Sequence, residues 1–248
     1  MLKYLMNKSS MGKKENIIAI VQARMGSSRL PNKSMLYLHG HPVIEWIFQR
    51  ASVAREIDRL VFAIPQTGKD NPLACYLKTL GANLFRGSES DLIERFYEAA
   101  KKWQATCVVR ISADCPFISG SEIDRLITFF KSGNYDFAYN NVPVNNCYPD
   151  GIGAEIMSFA VLEKLHKEAK NQYDREHVST YIHSHPQTFK IGTFDPEDQI
   201  LQCPETRIDL DTPEDYEKLM RMDVNINMDA HEIVNAANLV GKRRQIIH

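Results

Sequence analysis

Short apolar runs alternate with longer amphipathic segments through the first half of the chain. Five runs have the composition of buried strands, and they cover residues 17–21, 59–64, 82–85, 107–111 and 135–139. Between them, apolar residues recur at i, i+3 and i+4, which predicts helices over residues 41–55, 71–80, 91–103 and 121–131. This alternation is typical of βαβ units, so we predict an α/β fold with a mainly parallel, Rossmann-like sheet.

The pattern changes after about residue 140. The stretch NNVPVNNCYPDG at residues 140–151 is dense in Asn, Pro and other turn residues, which predicts a long loop beside a site. Further elements are predicted after it: strands at 154–157, 188–194 and 207–210, and helices at 160–168, at 175–183 and from 211 onward. We interpret the chain as a disordered tail (1–15) and a single domain (16–248) with an inserted lobe at about 140–195.

Composition excludes several classes of protein. The chain has 248 residues and a formal net charge of −1, so it lacks the basic excess expected of a protein that binds nucleic acid or anionic membranes. Its five cysteines form no CxxC pair, which argues against a disulfide framework or a thiolate zinc site and favours a reducing compartment. No signal peptide or apolar run of about 18 residues is found. We therefore expect a cytoplasmic protein.

The stretch ARMGSSRLPNK (residues 23–33, here the basic loop) follows the first predicted strand directly. Loops at the carboxyl end of this strand lie where open α/β sheets bind ligands. Gly26 allows close approach of the backbone to an anion, and Arg24, Arg29 and Lys33 supply the charge that a polyphosphate requires. The loop matches neither the GxxxxGK[ST] nor the GxGxxG motif. A solvated basic turn is the alternative interpretation.

Three aspartates follow other predicted strands. Asp114 comes after the strand at 107–111, and Asp209 and Asp211 flank Leu210 at the end of another. Residues two apart on a strand share a face, so Asp209 and Asp211 are expected to point the same way. Carboxylate oxygens are suitable ligands for Mg²⁺, and we predict a site made by Asp114 and Asp211, with Asp209 as a further candidate. The alternative for Asp211 is a helix N-cap.

The basic loop, ISADCPF at 111–117 and DLDTPEDY at 209–216 together resemble the cytidylyltransferase family that activates acidic sugars. That family includes the synthetases of CMP-neuraminate and CMP-3-deoxy-octulosonate, and the most similar branch is that of spore-coat polysaccharide biosynthesis proteins. The resemblance covers residues from about 16 to 240. It implies a Mg²⁺-dependent nucleotidyltransferase that joins CMP from CTP to a sugar or sugar acid and releases pyrophosphate. It further implies a homodimer, with the inserted lobe serving acceptor binding and dimerisation.

The resemblance also implies roles for individual residues. The catalytic set is Arg24, Lys33, Asp114 and Asp211. The nucleotide-binding set is Ala23, Arg24, Gly26, Ser27, Ser28, Arg29, Lys33, Gly87, Asp91, Arg95, Ala113 and Asp114, and Cys115 is a further candidate for the same cleft. The segment from Gly87 to Phe96 opens with a capping-box pattern, so an ordinary amphipathic helix is the alternative there.

Two motifs in the inserted lobe resemble the acceptor-binding segments of the family. They are YPDG-x-x-x-E at 148–155 and REHV at 175–178, and their candidate residues are Tyr148, Asp150, Glu155, Arg175, Glu176 and His177. Arg175 is expected to pair with an acidic group of the acceptor, because guanidinium matches the geometry of carboxylate or phosphate. His177 is a weaker candidate for a general base. The alternative is that Glu176 and His177 lie on a solvated helix face.

Three other functions remain open at this level. A nucleotide-sugar glycosyltransferase also uses an α/β sheet and acidic metal ligands, but it has less need of three cations in the first loop. A nucleotide-binding regulator would bind CTP without releasing pyrophosphate. A guanylyltransferase would use GTP and a sugar 1-phosphate.

Overall fold

The computed structural model describes residues 15–245, so the predicted tail at 1–15 lies outside the described residues except for Glu15. The strands are β1 (Ile17–Gln22), β2 (Tyr37–Leu38), β3 (His41–Pro42), β4 (Arg59–Pro65), β5 (Asn83–Gly87), β6 (Cys107–Ser112), β7 (Phe137–Tyr139), β8 (Glu155–Ser158) and β9 (Ile191–Gly192). The α-helices are α1 (Val43–Ser52), α2 (Asn71–Thr79), α3 (Leu92–Lys102), α4 (Gly120–Ser132), α5 (Phe159–Glu168), α6 (Gln172–Glu176), α7 (Thr180–Ser184), α8 (Pro213–Met220) and α9 (Ala230–Gln245). Short 3₁₀ helices lie at Lys33–Met35, Gly68–Asp70 and Gln199–Leu201.

Seven strands form one sheet in the order β5-β4-β1-β6-β8-β7-β9. The strands β5, β4, β1 and β6 are parallel, whereas β8 runs antiparallel to both β6 and β7. The chain moves from β1 to β4 and β5 on one side and returns to β6 on the other. The carboxyl ends of β1 and β6 therefore form the crevice in which open sheets bind ligands. The mixed α/β fold with a mainly parallel sheet is confirmed.

Helices cover both faces of the sheet, which explains why its strands are continuous apolar runs. In β1, Ile17, Ala19 and Val21 pack on one side with α1, α2, α4, α8 and α9. Ile18 and Ile20 alternate with them and pack on the other side with α3, α5 and α7. No helix among the described residues has the length and apolar character needed to cross a membrane.

The strand predicted at 207–210 was wrong. This segment is extended, but the amide of Ile208 donates to the Asp150 carbonyl at 2.9 Å and the amide of Leu210 donates to the Asp114 carbonyl at 2.7 Å. Its two partners belong to different loops, so no ladder forms and only an isolated bridge between Asp150 and Arg207 is present. The strand predicted at 188–194 shortens to the two residues of β9.

The helix predicted at 175–183 consists of two short helices. Helix α6 ends where His177 adopts an extended backbone (φ −129°, ψ 91°), and the next residue, Val178, is fully buried. The chain then starts again as α7. The break directs Val178 into the core, which a continuous helix through this segment would not require. Helix α9 was not predicted at all.

Most helices begin within two residues of the predicted start. Helix α4 begins one residue before its predicted start and is capped by Ser119, which accepts from the Glu122 amide. Helix α8 is capped by Thr212 in a capping box with Asp215. Asp211 is therefore not the N-cap, and its carboxylate is available to the site described below.

The loop between β7 and β8 is fixed by buried polar contacts. A Cβ atom on Gly153 would lie 2.0 Å from the Asn140 carbonyl oxygen, so only glycine fits this close approach. The Tyr148 side chain is fully buried, and its hydroxyl donates to Glu122 Oε2 at 2.5 Å. Arg125 Nη1 donates to the Tyr148 hydroxyl at 3.1 Å. Tyr148 thus anchors the loop to α4 and does not reach an acceptor as the motif had implied.

We expect Tyr148→Phe to lower the free energy of unfolding by about 1–2 kcal/mol, because it removes a buried donor from a carboxylate. Tyr37→Phe is the matched control, since Tyr37 is 60% exposed and should change stability by less than about 0.5 kcal/mol. Urea unfolding of the two variants measures the difference. Equal, small losses would show that the Tyr148 hydroxyl does not anchor the loop.

Candidate active site

A cavity of about 290 Å³ opens at the carboxyl ends of β1 and β6. It is lined by Gln22, Ala23, Arg24, Ser27, Ser28, Arg29, Lys33, Ser34, Glu89, Ser90, Leu92, Arg95, Arg110, Ser112, Ala113, Asp114, Glu176, His177 and Asp211. Twelve of these were predicted from the sequence: Ala23, Arg24, Ser27, Ser28, Arg29, Lys33, Arg95, Ala113, Asp114, Glu176, His177 and Asp211. Nine other predicted residues do not line it: Gly26, Gly87, Asp91, Cys115, Tyr148, Asp150, Glu155, Arg175 and Asp209.

The basic loop is held in place by Asp70, a buried residue that the sequence analysis missed. Asp70 Oδ1 accepts from the Met25 amide at 2.8 Å, and its Oδ2 accepts from the Thr67 hydroxyl at 2.5 Å. Inside the loop, the Leu30 amide donates to Ser27 Oγ at 3.3 Å. The Arg24 side chain is exposed and makes no hydrogen bond or ion pair with any residue that the structure describes. This cation is therefore available to a ligand.

Lys33 brings two carboxylates together. Its Nζ donates to Asp211 Oδ1 at 2.8 Å and lies 3.8 Å from Asp114 Oδ2. Arg29 Nη2 donates to the other oxygen of Asp211, also at 2.8 Å. Burial acts to raise the pKa of Asp211, but the Lys33 and Arg29 contacts outweigh it and lower that pKa. Asp211 is therefore a carboxylate at neutral pH, in contact with two cations.

A second acidic pair lies behind this cluster. Asp209 is buried, and both of its oxygens accept from Arg207, at 3.2 and 2.7 Å. Asp209 and Asp211 were predicted to point the same way on a strand. Residues 207–210 form no strand, and Asp209 does not line the cavity with Asp211. Burial, followed by the charge of Asp209, raises the pKa of Asp150 to about 7. Asp150 also lies outside the cavity, beneath the two lining aspartates.

Asp114 and Asp211 form a donor set that suits a hard dication. Among residues 15–245, no three His, Cys, Asp or Glu side chains converge as a self-sufficient metal site. Mg²⁺, however, usually takes one or two carboxylates together with phosphate oxygens and water. Both carboxylates lie within 4 Å of one cationic group, the Lys33 ammonium. The two side chains are therefore close enough to share a single cation, as this mode of binding requires.

Arg95 supplies a buried cation to the cavity lining. It is 4% exposed, and its Nη1 donates to the Ser88 carbonyl. Burial, and after it the charge of Arg24, lowers the pKa of Arg95 to about 10. Two neighbouring guanidinium groups in one cavity form a region that favours an anion. Gly87 does not line the cavity but packs below Arg95, whose Cγ would lie 3.2 Å from an added Cβ.

Arg175, which was predicted to bind the acceptor, does not line the cavity. Its Nε donates to Asp91 Oδ2 at 2.8 Å, and its Nη1 donates to the carbonyls of His166 and Ala169 at 2.9 and 3.2 Å. Asp91 in turn caps α3 by accepting from the Glu94 amide. These contacts use the guanidinium group within the protein and turn it away from a ligand.

Arg110 is the cavity residue that the sequence analysis missed most clearly. It lies inside the apolar run of β6, where its Nε donates to Gln22 Oε1 at 2.9 Å and its Nη1 lies 2.8 Å from Glu155 Oε2. Burial disfavours the charge, but Glu155 outweighs it and raises the pKa of Arg110. Glu155 therefore acts behind Arg110 instead of contacting a ligand directly. The sequence did contain one indication of this residue, because a charged side chain is unusual inside an apolar strand.

The remaining predicted residues divide between the cavity and the core. Glu176 and His177 are exposed on the cavity wall beside Ser90. Ala113 lines the cavity, whereas Cys115 is buried and its thiol donates to Asp114 Oδ1 at 3.3 Å. Burial, together with the charge of Asp114, raises the pKa of the Cys115 thiol well above its usual value. Cys115 thus supports Asp114 from below.

Comparison with known proteins agrees with this geometry. The chain is 34% identical to an uncharacterised protein of Methanocaldococcus jannaschii over 222 residues, which is 88% of this chain and 89% of the relative. It is 28% identical to the spore coat polysaccharide biosynthesis protein SpsF of Bacillus subtilis, over 82% of this chain and 85% of the relative. The solved structure of a cytidylyltransferase from Leptospira borgpetersenii superposes with a TM-score of 0.82 at 27% identity, covering 94% of this chain and 97% of that chain. Residues 18–238 match the cytidylyltransferase family model, so the chain belongs to the cytidylyltransferase family and is a nucleotidyltransferase.

Proposed function

We propose that this enzyme transfers CMP from CTP to a sugar or sugar acid and releases pyrophosphate, with Mg²⁺ as cofactor. The observation that carries the proposal is the meeting of three cations and two carboxylates in one cavity at the ends of β1 and β6. The product would be a precursor of a surface polysaccharide or another glycan, as the similarity to SpsF suggests. A homodimer in the cytoplasm remains part of the proposal.

The basic loop would hold the leaving group. Four phosphate charges oppose the approach of an oxygen nucleophile, and charge builds on pyrophosphate as it departs. Arg24, Arg29 and Lys33 all line the cavity and can contact the β and γ phosphates. Fixed cations at this position stabilise the transition state more than the bound substrate, because the leaving group is more negative there.

Asp114 and Asp211 would hold the Mg²⁺ ion. The ion, when bound, supplies charge neutralisation at the α-phosphate. The protein positions the two carboxylates through the backbone, since the Leu210 amide donates to the Asp114 carbonyl at 2.7 Å. Residues on either side of this hydrogen bond therefore keep a fixed spacing.

The acceptor would enter along the cavity wall that carries Glu176 and His177, because neither residue is assigned to the triphosphate or to the metal. His177 is an exposed imidazole at this wall and can serve as the general base for the acceptor hydroxyl. Arg110 offers a donor inside the cavity, held by Gln22 and Glu155. Tyr148 and Arg175 support the walls.

The decisive experiment is a pyrophosphate-release screen. CTP, GTP, ATP and UTP are each incubated with Mg²⁺, the enzyme and a panel of acidic sugars, neutral sugars and sugar 1-phosphates. Release that requires CTP and a sugar or sugar acid supports the proposal. Release that requires GTP and a sugar 1-phosphate identifies a guanylyltransferase instead. CTP binding without release under any condition would contradict the proposed activity.

Replacing Lys33 by Ala should weaken metal-free CTP binding by roughly ten-fold to a hundred-fold, since a lost charge-assisted hydrogen bond costs about 1.5–3 kcal/mol. CMP binding should change far less, because CMP lacks the β and γ phosphates. Isothermal titration calorimetry in the presence of EDTA measures both ligands. Equal losses for CTP and CMP would place Lys33 away from the leaving group.

Asp114→Asn and Asp211→Asn should each reduce turnover by at least about a hundred-fold, since the amide keeps the shape but loses the charge that a metal requires. Asp223→Asn is the control, because Asp223 is exposed and remote from the cavity lining. Initial rates are measured on the substrates that the screen identifies, with circular dichroism to confirm folding. Unimpaired turnover by folded Asp211→Asn would remove Asp211 from the metal site.

A further inference from the structure

Both oxygens of Asp211 are already bonded to cations in the protein alone. Oδ1 accepts from Lys33 at 2.8 Å and Oδ2 accepts from Arg29 at 2.8 Å. Asp114 Oδ2 lies 3.8 Å from the same Lys33 ammonium. The carboxylates proposed to hold the metal therefore have internal partners when no ligand is bound.

The two cations differ in how firmly they are held. The Lys33 side chain is 15% exposed, and its ammonium also donates to the Leu210 carbonyl at 3.0 Å. The ammonium therefore donates two hydrogen bonds, to Asp211 and to the Leu210 carbonyl, and makes a longer ion pair with Asp114. The Arg29 side chain is 66% exposed, so solvent screens its ion pair. Lys33 is the main occupant of the space between the carboxylates.

A divalent cation competes with Lys33 for that space. It must displace a partly buried ammonium from two carboxylates and a carbonyl, and it must also lose part of its own hydration shell. A triphosphate changes this balance, because its oxygens give Lys33 and Arg29 new partners and give the metal additional ligands. The carboxylates then become available.

From this geometry we infer that Lys33 takes the place of the metal in the free enzyme, so that the metal site forms only when a triphosphate draws Lys33 away. The inference rests on the proposed use of Asp114 and Asp211 as metal ligands. It adds that the triphosphate must move Lys33 before the metal can bind tightly. Metal and nucleotide bind with positive coupling, and the free protein has low affinity for the metal. Lys33 therefore has two roles, as a phosphate contact and as an internal counter-ion.

The test is the binding of Mn²⁺ alone to the nucleotide-free, full-length protein, measured by electron paramagnetic resonance. Lys33→Met keeps the length of the side chain but removes its charge, and it should bind Mn²⁺ roughly ten-fold more tightly than the wild type. Arg24→Met is the matched control: it removes a cation from the same cavity, but Arg24 has no carboxylate partner among the described residues, so Mn²⁺ affinity should stay near the wild-type value. Adding Asp211→Asn to Lys33→Met should abolish the gain.

A thermal melt provides a second measurement and a check on folding. Lys33→Met should melt below the wild type, because it removes the ammonium group between the two carboxylates and leaves only Arg29 paired with Asp211. Mg²⁺ should restore more of its melting temperature than it adds to the wild type. Equal Mn²⁺ affinities in the wild type and Lys33→Met, or equal gains in Lys33→Met and Arg24→Met, would overturn the inference. These readouts need no turnover, so failure of the proposed activity in the screen is a separate result.

Discussion

The contact of one ammonium group with two carboxylates is the interaction on which the site depends. Asp114 follows β6 and Asp211 follows the extended segment 207–210, so two like charges approach each other across a loop. Without a cation between them, the two negative charges would repel each other. Lys33, from a third stretch of the chain, removes this repulsion. A backbone bond from Leu210 to Asp114 fixes the spacing independently of the charges.

The charged side chains of the cavity are unevenly distributed, although the whole chain is close to neutral with a net charge of −1. Lys33 and Arg29 form ion pairs with Asp211, whereas Arg24 and Arg95 line the same cavity without an ion pair to any described residue. The cavity therefore has one region of paired charges and one region in which two guanidinium groups are near each other. An anion in the second region would favour the charged form of Arg95, whose pKa is lowered first by burial and then by the charge of Arg24.

The pattern of apolar and polar residues along the chain was enough to predict the sheet and the part of the cavity that the basic loop lines. An apolar run followed directly by polar residues marks a strand end, and this was sufficient for Arg24, Lys33 and Asp114. Tyr148 and Arg175 were expected in the site but do not line the cavity, and the reason is the same for both. Each side chain is used by a partner distant in sequence, Glu122 or Asp91, and no local pattern reveals that pairing.

Other features were hidden for different physical reasons. Residues 207–210 have the composition of a strand and are extended. Their backbone hydrogen bonds, however, go to two different loops, so they do not pair with a neighbouring strand. Arg110 lies within an apolar run, so the run alone predicts only a buried strand. Its function can be recognised only when the structure places Glu155 of the antiparallel strand β8 beside it. The role of Asp70 in holding the basic loop depends on a turn that follows a different strand.

The Arg175–Asp91 ion pair has a consequence for the size of molecules that can enter. Asp91 caps α3 while it binds Arg175 of α6, and Gln172 of α6 also donates to the Ser90 carbonyl at 3.3 Å. The rim that carries Glu176 and His177 is thereby fastened to the rim that carries Ser90. Widening the entrance requires breaking an ion pair and weakening a helix start together. The opening between the two rims therefore has a width set by the fold, which limits the size of any molecule that passes between them.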